Sequence, residues 1–169
     1  EAVARANQVM LYKTAKYSIE APLLIGAAFA GADFTARSEI EKFAIPLGLA
    51  FQLRDDVLGV FGDPKVTGKP AGDDLREGKR TVLIGLTREV LTGSVRNVFD
   101  EMLAARDINA DQITFLQQTI IGAGALKKTE TMIEELGSDS LQNLDSLELE
   151  ATGKAALIEL AKQVMNRDK

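Results

Sequence analysis

Two residue types that carry much of enzyme chemistry are missing from this 169-residue chain, which contains neither cysteine nor histidine. Without cysteine there is no disulfide framework, no thiolate metal site and no thiol nucleophile. Without histidine there is no Ser-His-Asp triad, no imidazole base and no zinc–histidine site. Any chemistry must therefore use carboxylates, lysines, arginines, hydroxyls, amides or a hard metal ion.

Long apolar runs and a basic excess are missing as well. The longest apolar candidate, residues 21–32, falls well short of the roughly 20 residues that a membrane span needs. We therefore expect no stable membrane insertion and, since no signal peptide is recognisable, a cytoplasmic protein. Acidic residues outnumber basic ones by 25 to 20, which argues against a nucleic-acid partner.

The residues that are present favour helices. Hydrophobic residues make up 46% of the chain, aromatic residues only 5%, and alanine, leucine, glutamate and lysine are abundant. No pair of strand patterns with a hairpin turn is apparent, and neither is a repeat. An all-α helical bundle is the predicted fold class.

Apolar periodicity predicts the helices, and capping residues predict their ends. Ser38 with Glu41 resembles a capping box, Asn109 is expected to start a helix, and Gly137 is expected to stop one. The predicted helices cover residues 2–20, 22–31, 38–61, 94–105, 109–121, 123–136 and 151–166, with helical pattern resuming near 75 and a short helical turn at 138–145.

Proline and glycine mark the interruptions. Pro22 is expected to break or kink the first helix, and Pro46 to kink the long third one. Residues 62–74, GDPKVTGKPAGDD, contain two prolines and three glycines and are predicted to form a loop.

The segment FQLRDDVLGVFGD, residues 51–63, carries two adjacent aspartates, Asp55 and Asp56, among apolar neighbours. Gln52 precedes them by one turn and shares their helix face. Adjacent acids on a helix usually mark a solvated face. Here the apolar neighbours leave little room for a wide polar stripe, and unpaired buried carboxylates are costly, which favours a ligand that balances their charge.

Basic residues that could provide this balance lie before and after the aspartates. They are Lys13 and Lys16 on the first helix, Lys69 in the loop, and Arg76, Lys79 and Arg80 after it. An ordinary charged surface is one interpretation. The other is a diphosphate site, because carboxylates recruit Mg²⁺, Mg²⁺ binds phosphate oxygens, and lysines complete the clamp. GDPKVTGKP is not a nucleotide-binding P-loop, since it lacks the GxxxxGK[ST] spacing and follows no strand.

Four motifs together resemble the C-terminal part of a trans-isoprenyl diphosphate synthase: Lys13-Thr14, Phe51-Gln52, Asp55-Asp56, and GKPAGDDLREGKRT at 68–81. The stretch FGDPKVTGKPAGDDLREGKRTVL is especially similar to bacterial geranylgeranyl diphosphate synthases. The resemblance implies an isoprenoid-synthase helical bundle and a prenyl transfer, in which isopentenyl diphosphate attacks the carbocation left when an allylic diphosphate departs. It also implies Mg²⁺ as cofactor and, for the full-length protein, a homodimer.

The resemblance assigns a role to each matched residue. Asp55 and Asp56 match the first two acids of the family's second aspartate-rich motif, which binds Mg²⁺ and through it the allylic diphosphate. Gln52 matches the glutamine that contacts the allylic substrate. The groups implied to contact the diphosphate are Lys13, Thr14, Lys69 and Lys79, and Asp74 matches an acid of the GKPxGxD segment with a structural or supporting role.

The sequence also departs from the family pattern. Gly59 stands where the motif has its third acid, and Asp63, four residues further on, is a candidate replacement. The family's first aspartate-rich motif and its isopentenyl diphosphate ligands are absent. Since EAVARANQVM already reads as mid-helix, residues 1–169 are expected to be the C-terminal portion of a longer synthase and to be inactive alone.

Small residues before and within the long helix allow two interpretations. They are Gly26, Ala27, Ala30 and Gly48. They could make room for a prenyl chain, or they could permit close helix packing, which is the favoured interpretation. Three functions stay open at this point: a prenyltransferase, a non-catalytic prenyl-diphosphate-binding subunit, and a structural helical domain.

Overall fold

The computed structural model describes residues 1–68, 70–105 and 107–165, and within these ranges the chain is helical without a β-strand. The predicted all-α class is confirmed. The helices are Ala2–Met10 (α1), a π-helix at Leu11–Glu20, Ala21–Phe29 (α2), Phe34–Phe61 (α3), Pro64–Thr67 (α4), Asp73–Arg76 (α5), Val82–Val90 (α6), Gly93–Ala104 (α7), Ala110–Gly122 (α8), Ala125–Asp145 (α9) and Ala151–Met165 (α10). None of the helices in the described ranges combines the length and the hydropathy of a membrane span.

The described residues form two compact units. The first unit comprises residues 1–6 and 55–130, and the second comprises residues 7–54 and 131–165. The chain passes from the second unit into the first within α3, between Arg54 and Asp55.

The first unit has its core around α8, which packs against α5, α6 and α7. Four large side chains here have no exposed surface: Leu75, Leu83, Phe99 and Leu116. Burying each such side chain contributes roughly 1.5–3 kcal/mol to folding. The Gln117 amide donates to the Val60 carbonyl at 2.7 Å. This bond satisfies one of the carbonyls that the last turn of α3 leaves without a helical partner.

The second unit has a core in which α3 meets α9 and α10. Its buried members are Phe43, Leu47, Leu144, Leu147, Ala161 and Val164. Pro46 lies inside α3 and lacks the N–H that would bond to the Lys42 carbonyl. The Asn143 amide donates to that carbonyl at 3.0 Å, and the Ser140 hydroxyl donates to the next one, Phe43, at 2.9 Å. Side chains of α9 therefore replace the hydrogen bonding that proline disturbs.

Two predicted helix boundaries are wrong, and the predicted loop 62–74 is partly helical, since it contains α4 and the start of α5. The Ser38–Glu41 capping box is not used, because α3 begins one turn earlier, where the Asp33 carboxylate accepts the Ala36 N–H at 2.8 Å. Gly137 does not stop a helix, because α9 runs on to Asp145. A Cβ at Gly137 would lie 2.8 Å from Met165 Cγ, so this glycine serves the packing of α10.

The helix predicted at residues 2–20 is an α-helix only as far as Met10. Over Leu11–Glu20 it is a π-helix, and the Ala21 N–H bonds to the Lys16 carbonyl five residues back. Pro22 falls in the first turn of α2, where a missing N–H is tolerated, and the backbone at Ala21 stays right-handed helical. π-helical turns are rare and often occur at functional sites.

Candidate functional site

A side-chain hydrogen bond joins Thr14 and Gln52 within the second unit. The Thr14 hydroxyl donates to Gln52 Oε1 at 2.5 Å, which connects the π-helix to α3. Thr14 is buried and Gln52 is half-buried, so solvent competes weakly for this bond. The bond fixes the amide of Gln52 with its carbonyl toward Thr14.

Gly48 allows the two helices to approach closely enough for this bond. A Cβ at Gly48 would lie 2.8 Å from Ala15 Cβ and closer still to Ala15 Cα. The close packing favoured for Gly48 is thereby confirmed. Gly26, by contrast, would have nothing within 4 Å of an added Cβ.

Two lysines on the π-helix have different surroundings. Lys13 is exposed, and no hydrogen bond or ion pair of its side chain is present in the part of the chain that the structure describes. Lys16 pairs with Glu20 at 3.2 Å and with Glu41 at 3.4 Å, and its hydrogen bond to Glu20 raises the pKa of Lys16. Lys13 is therefore better placed than Lys16 to meet an anion.

Asp55 and Asp56 follow Gln52 by one turn on α3. Asp55 is exposed, whereas Asp56 is buried, with 6% of its surface accessible. The difference follows from helix geometry, because adjacent residues point in directions about 100° apart. The predicted acid pair thus presents one carboxylate to solvent and holds the other in a largely covered position.

Asp74 lies directly against Gly59 in the first unit. A Cβ built at Gly59 would fall 2.8 Å from Asp74 Oδ1 and closer to its other carboxyl atoms. The space that a side chain at 59 would fill is therefore filled by the Asp74 carboxylate, which is 7% exposed. The sequence showed a glycine in an acid's place, but the contact joins residues 15 positions apart and has no local sequence signal.

Lys79 pairs with Asp74. Its Nζ lies 2.5 Å from Asp74 Oδ1 and 3.0 Å from Glu77 Oε2. The backbone N–H of Lys79 also donates to the backbone carbonyl of Asp74 at 3.0 Å. Partial burial works against the charged ammonium, but hydrogen bonds to the two carboxylates outweigh it and raise the pKa of Lys79. Lys79 therefore stays a cation at neutral pH.

The two remaining candidates are Asp63 and Lys69. Asp63 caps α4, where its carboxylate accepts the Lys65 N–H at 2.9 Å. This hydrogen bond directs at least one carboxylate oxygen of Asp63 toward the backbone of α4. Lys69, predicted to contact a diphosphate, lies outside the described residues.

The acids present suit a hard cation that keeps part of its water. Within the described ranges, no group of three or more acidic side chains is arranged to hold a metal ion unaided. Mg²⁺ commonly binds through one or two carboxylates and completes its shell with water and substrate phosphates. Asp55 and Asp56, with their oxygen donors on one turn of α3, fit that limited requirement.

A cavity of about 540 Å³ lies within the second unit. Its lining is mainly apolar and includes Met10, Leu11, Leu49, Leu53, Met132 and Leu136. The exposed acids Glu135 and Asp139 also border it, which makes it less suited to a hydrocarbon chain.

Comparison with known proteins agrees with these features. The profile of the Polyprenyl synthetase family matches residues 2–120. A geranylfarnesyl diphosphate synthase from Aeropyrum pernix is 39% identical over 140 residues, covering 79% of this chain and 42% of that protein.

Solved structures give the same result. A geranylgeranyl pyrophosphate synthase from Corynebacterium glutamicum, complexed with isoprenyl diphosphate and magnesium, superposes with a TM-score of 0.93 at 36% identity, covering 98% of this chain and 47% of that one. A polyprenyl synthase from Caulobacter crescentus, complexed with calcium and isoprenyl diphosphate, gives 0.84 at 31% identity, covering 98% and 50%. The chain spans about half the length of these relatives. Because the family profile covers well over half of it, the chain belongs to the polyprenyl synthetase family, the trans-isoprenyl diphosphate synthases.

Proposed function

We propose that the protein of which this chain is part condenses an allylic diphosphate with isopentenyl diphosphate to make a longer polyprenyl diphosphate, with a geranylgeranyl-type product favoured. The allylic C–O bond breaks with its electron pair leaving on diphosphate. The double bond of isopentenyl diphosphate attacks the resulting carbocation, and loss of a proton forms the new double bond. The main support is the likeness to the C. glutamicum synthase, together with the motif residues on α3.

In this proposal Asp55 and Asp56 would hold Mg²⁺ for the allylic diphosphate. When bound, the ion supplies charge neutralisation at the leaving group. The exposed Asp55 is the more accessible donor, and the buried Asp56 is fixed by its surroundings. A donor fixed before the ligand arrives loses little freedom on binding it.

Lysines provide the remaining positive charge. Lys13 is exposed, and Lys79 is held as a cation by its acidic neighbours. Both would bind phosphate oxygens, as would Lys69. Because these charges stabilise the departing diphosphate more than the bound substrate, they lower the barrier to its departure.

The proposed role of Thr14 and Gln52 is to position the substrate rather than to neutralise its charge. The hydrogen bond between them fixes the orientation of the Gln52 amide. A fixed dipole next to a developing carbocation or leaving group needs no reorganisation during the reaction. The proton lost at the end of the reaction goes to the released diphosphate, which suits a chain without histidine.

The chain alone is proposed to bind an allylic diphosphate without condensing it, whereas a protein extended at its N-terminus turns over as a homodimer. The chain covers about half of each of the relatives described above. Its sequence does not contain the family's first aspartate-rich motif. Prenyl transfer by residues 1–169 would refute this part of the proposal.

Titration calorimetry with farnesyl diphosphate, with Mg²⁺ or with EDTA, tests the binding proposal. We expect binding that requires Mg²⁺ and is lost when Asp55 and Asp56 are both changed to alanine. The matched control removes two exposed acids at Glu148 and Glu150, which leaves the net charge equal to that of the test variant. Absence of Mg²⁺-dependent binding in the folded parent chain, or equal loss in both variants, would overturn the proposal.

A further inference from the structure

Glu20 is a buried carboxylate for which the proposed reaction has no use. It ends the π-helix, and only 7% of its surface is accessible. The Lys16 ammonium donates to both of its carboxylate oxygens, at 3.2 and 3.3 Å. A carboxylate is costly to bury even when it is paired, and apolar residues in place of a buried ion pair are often as stable or more so. Stability alone therefore gives little reason for an acid at this position.

Lys16 connects Glu20 to the long helix α3. Its Nζ also lies 3.4 Å from Glu41 Oε1, so one ammonium is shared by a carboxylate of the π-helix and a carboxylate of α3. Glu41 is exposed, and an exposed ion pair by itself is weak. The buried carboxylate of Glu20 is what keeps the ammonium in place beside α3.

The contacts between the π-helix and α3 follow one another along both helices. In order along the π-helix they are Thr14 with Gln52, Ala15 with Gly48, and Lys16 with Glu41. Position numbers fall on α3 as they rise on the π-helix, so the two helices run antiparallel. The Lys16 pair and the Thr14 bond thus hold the two ends of one interface, and a slip of one residue would separate both pairs.

The winding of this segment makes such a slip an accessible alternative. The Ala21 N–H bonds to the Lys16 carbonyl five residues back, whereas an α-helix would use a carbonyl four residues back. In an uninterrupted α-helix the ring of Pro22 would collide with the Ser18 carbonyl, which disfavours α-winding at this end. Pro22 restricts the winding, but only a contact with α3 can fix where the π-helix lies along that helix.

We propose that Glu20 is a positioning residue of the allylic-diphosphate site, which through Lys16 and Glu41 fixes the π-helix in the register where Thr14 meets Gln52. This inference rests on the proposed function of Thr14 and Gln52. Glu20 acts through the Lys16 ammonium and the π-helix, not through contact with the substrate. Its burial and its two hydrogen bonds to Lys16 serve this role.

Replacing Glu20 by leucine separates positioning from stability. Leucine suits a buried position, and the Lys16 ammonium left behind is partly exposed and keeps Glu41. Glu20→Leu should therefore melt at the temperature of the parent or above. The conservative variant Glu20→Gln retains an oxygen that can accept from Lys16. Glu39→Leu is the matched control, because Glu39 pairs with Lys42 at 2.6 Å within α3, away from the π-helix.

Thermal unfolding without ligand gives the first readout. Thr14→Val and Gln52→Leu are made singly and together, in the parent and in Glu20→Leu. In the parent their melting-temperature shifts should not add, since each change removes the same hydrogen bond. In Glu20→Leu the shifts should add. Additive shifts in the parent, non-additive shifts in Glu20→Leu, or a large loss of stability in Glu20→Leu itself would overturn the inference.

Binding of farnesyl diphosphate with Mg²⁺, measured by titration calorimetry, gives the second readout. Glu20→Leu should bind about three- to tenfold more weakly than the parent, the equivalent of one lost hydrogen bond. Glu20→Gln should recover part of this loss, and Glu39→Leu should bind like the parent. Unchanged or tighter binding by folded Glu20→Leu, or an equal loss in Glu39→Leu, would overturn the inference while leaving the proposed function intact. A parent chain that does not bind farnesyl diphosphate would instead overturn both.

Discussion

Gly48→Ala should destabilise the protein, although alanine is the better helix former. A methyl group at this position would meet Ala15 Cβ at 2.8 Å and Ala15 N at 3.3 Å, and would overlap Ala15 Cα. Two of these three atoms belong to the backbone of the π-helix and cannot rotate away. Reaching an ordinary contact of 3.4 Å from 2.8 Å requires the helices to separate by more than half an ångström.

The magnitude follows from two opposing effects. Replacing glycine by alanine in a helix contributes about 1 kcal/mol to stability. Overpacking a filled core costs typically about 1–3 kcal/mol, and rigid backbone contacts place this site at the upper end. The expected net loss is about 2 kcal/mol, which for a chain of this size lowers the melting temperature by about 4–8 °C.

Thermal and urea unfolding followed by circular dichroism measure the effect. Gly26→Ala is the matched control, because Gly26 is an exposed residue of α2 with nothing within 4 Å of an added Cβ. The control should be as stable as the parent or more so. Farnesyl diphosphate binding should also weaken in Gly48→Ala, since the Thr14–Gln52 bond lies beside this contact. Equal stability of the two variants would refute the close-packing argument.

Two further predictions concern acids. Asp55→Ala should weaken Mg²⁺-dependent binding of farnesyl diphosphate far more than Asp63→Ala, as titration calorimetry can measure, and equal losses would indicate that Asp63 supplies the missing ligand. Asp100 is partly buried, which opposes its ionisation, but hydrogen bonds from Arg96 and Arg88 prevail and lower its pKa. Because its folded-state pKa lies below its unfolded value, ionised Asp100 stabilises the protein fully above pH about 3.9, and this contribution is lost as the pH falls from there through the folded-state pKa. Because solvent screens these partly exposed ion pairs, Asp100→Asn should cost only about 1 kcal/mol at pH 7. Urea unfolding should show the free-energy difference from the parent vanishing at low pH. A difference that persists at pH 2 would contradict this assignment.

Local sequence signals predicted the helices well where the capping groups lie close in sequence. Asn109 accepts the Gln112 N–H at 3.0 Å, and the Gln112 side chain accepts the Asn109 N–H at 2.9 Å, as expected for a helix start. Ser38 with Glu41 fits the same local pattern, yet Asp33 caps the helix instead. The residues between them have no feature that would stop a helix from extending back to Phe34.

The remaining features depend on contacts between distant residues. In the sequence Gly137 resembles a helix stop, but in the fold it makes room for the Met165 side chain. Gly59 stands where the family motif has an acid, and in the fold it makes room for the Asp74 carboxylate. Pro46 is tolerated because Asn143, 97 residues further on, donates to the carbonyl that the proline leaves unbonded. Thr14, Gln52, Asp55 and Asp56 lie on predicted helices, whereas Lys79 lies outside any helix. Only the folded chain shows that the Asp74 side chain fills the space over Gly59.

The central claim is that Asp55 and Asp56 hold a divalent ion against the diphosphate of an allylic substrate. An anomalous-difference map from crystals grown with Mn²⁺ and farnesyl diphosphate tests it most directly. The predicted result is a peak about 2.1 Å from an oxygen of Asp55 or Asp56 and from a diphosphate oxygen. A diphosphate bound without metal near either aspartate, or a metal bound elsewhere, would contradict the claim.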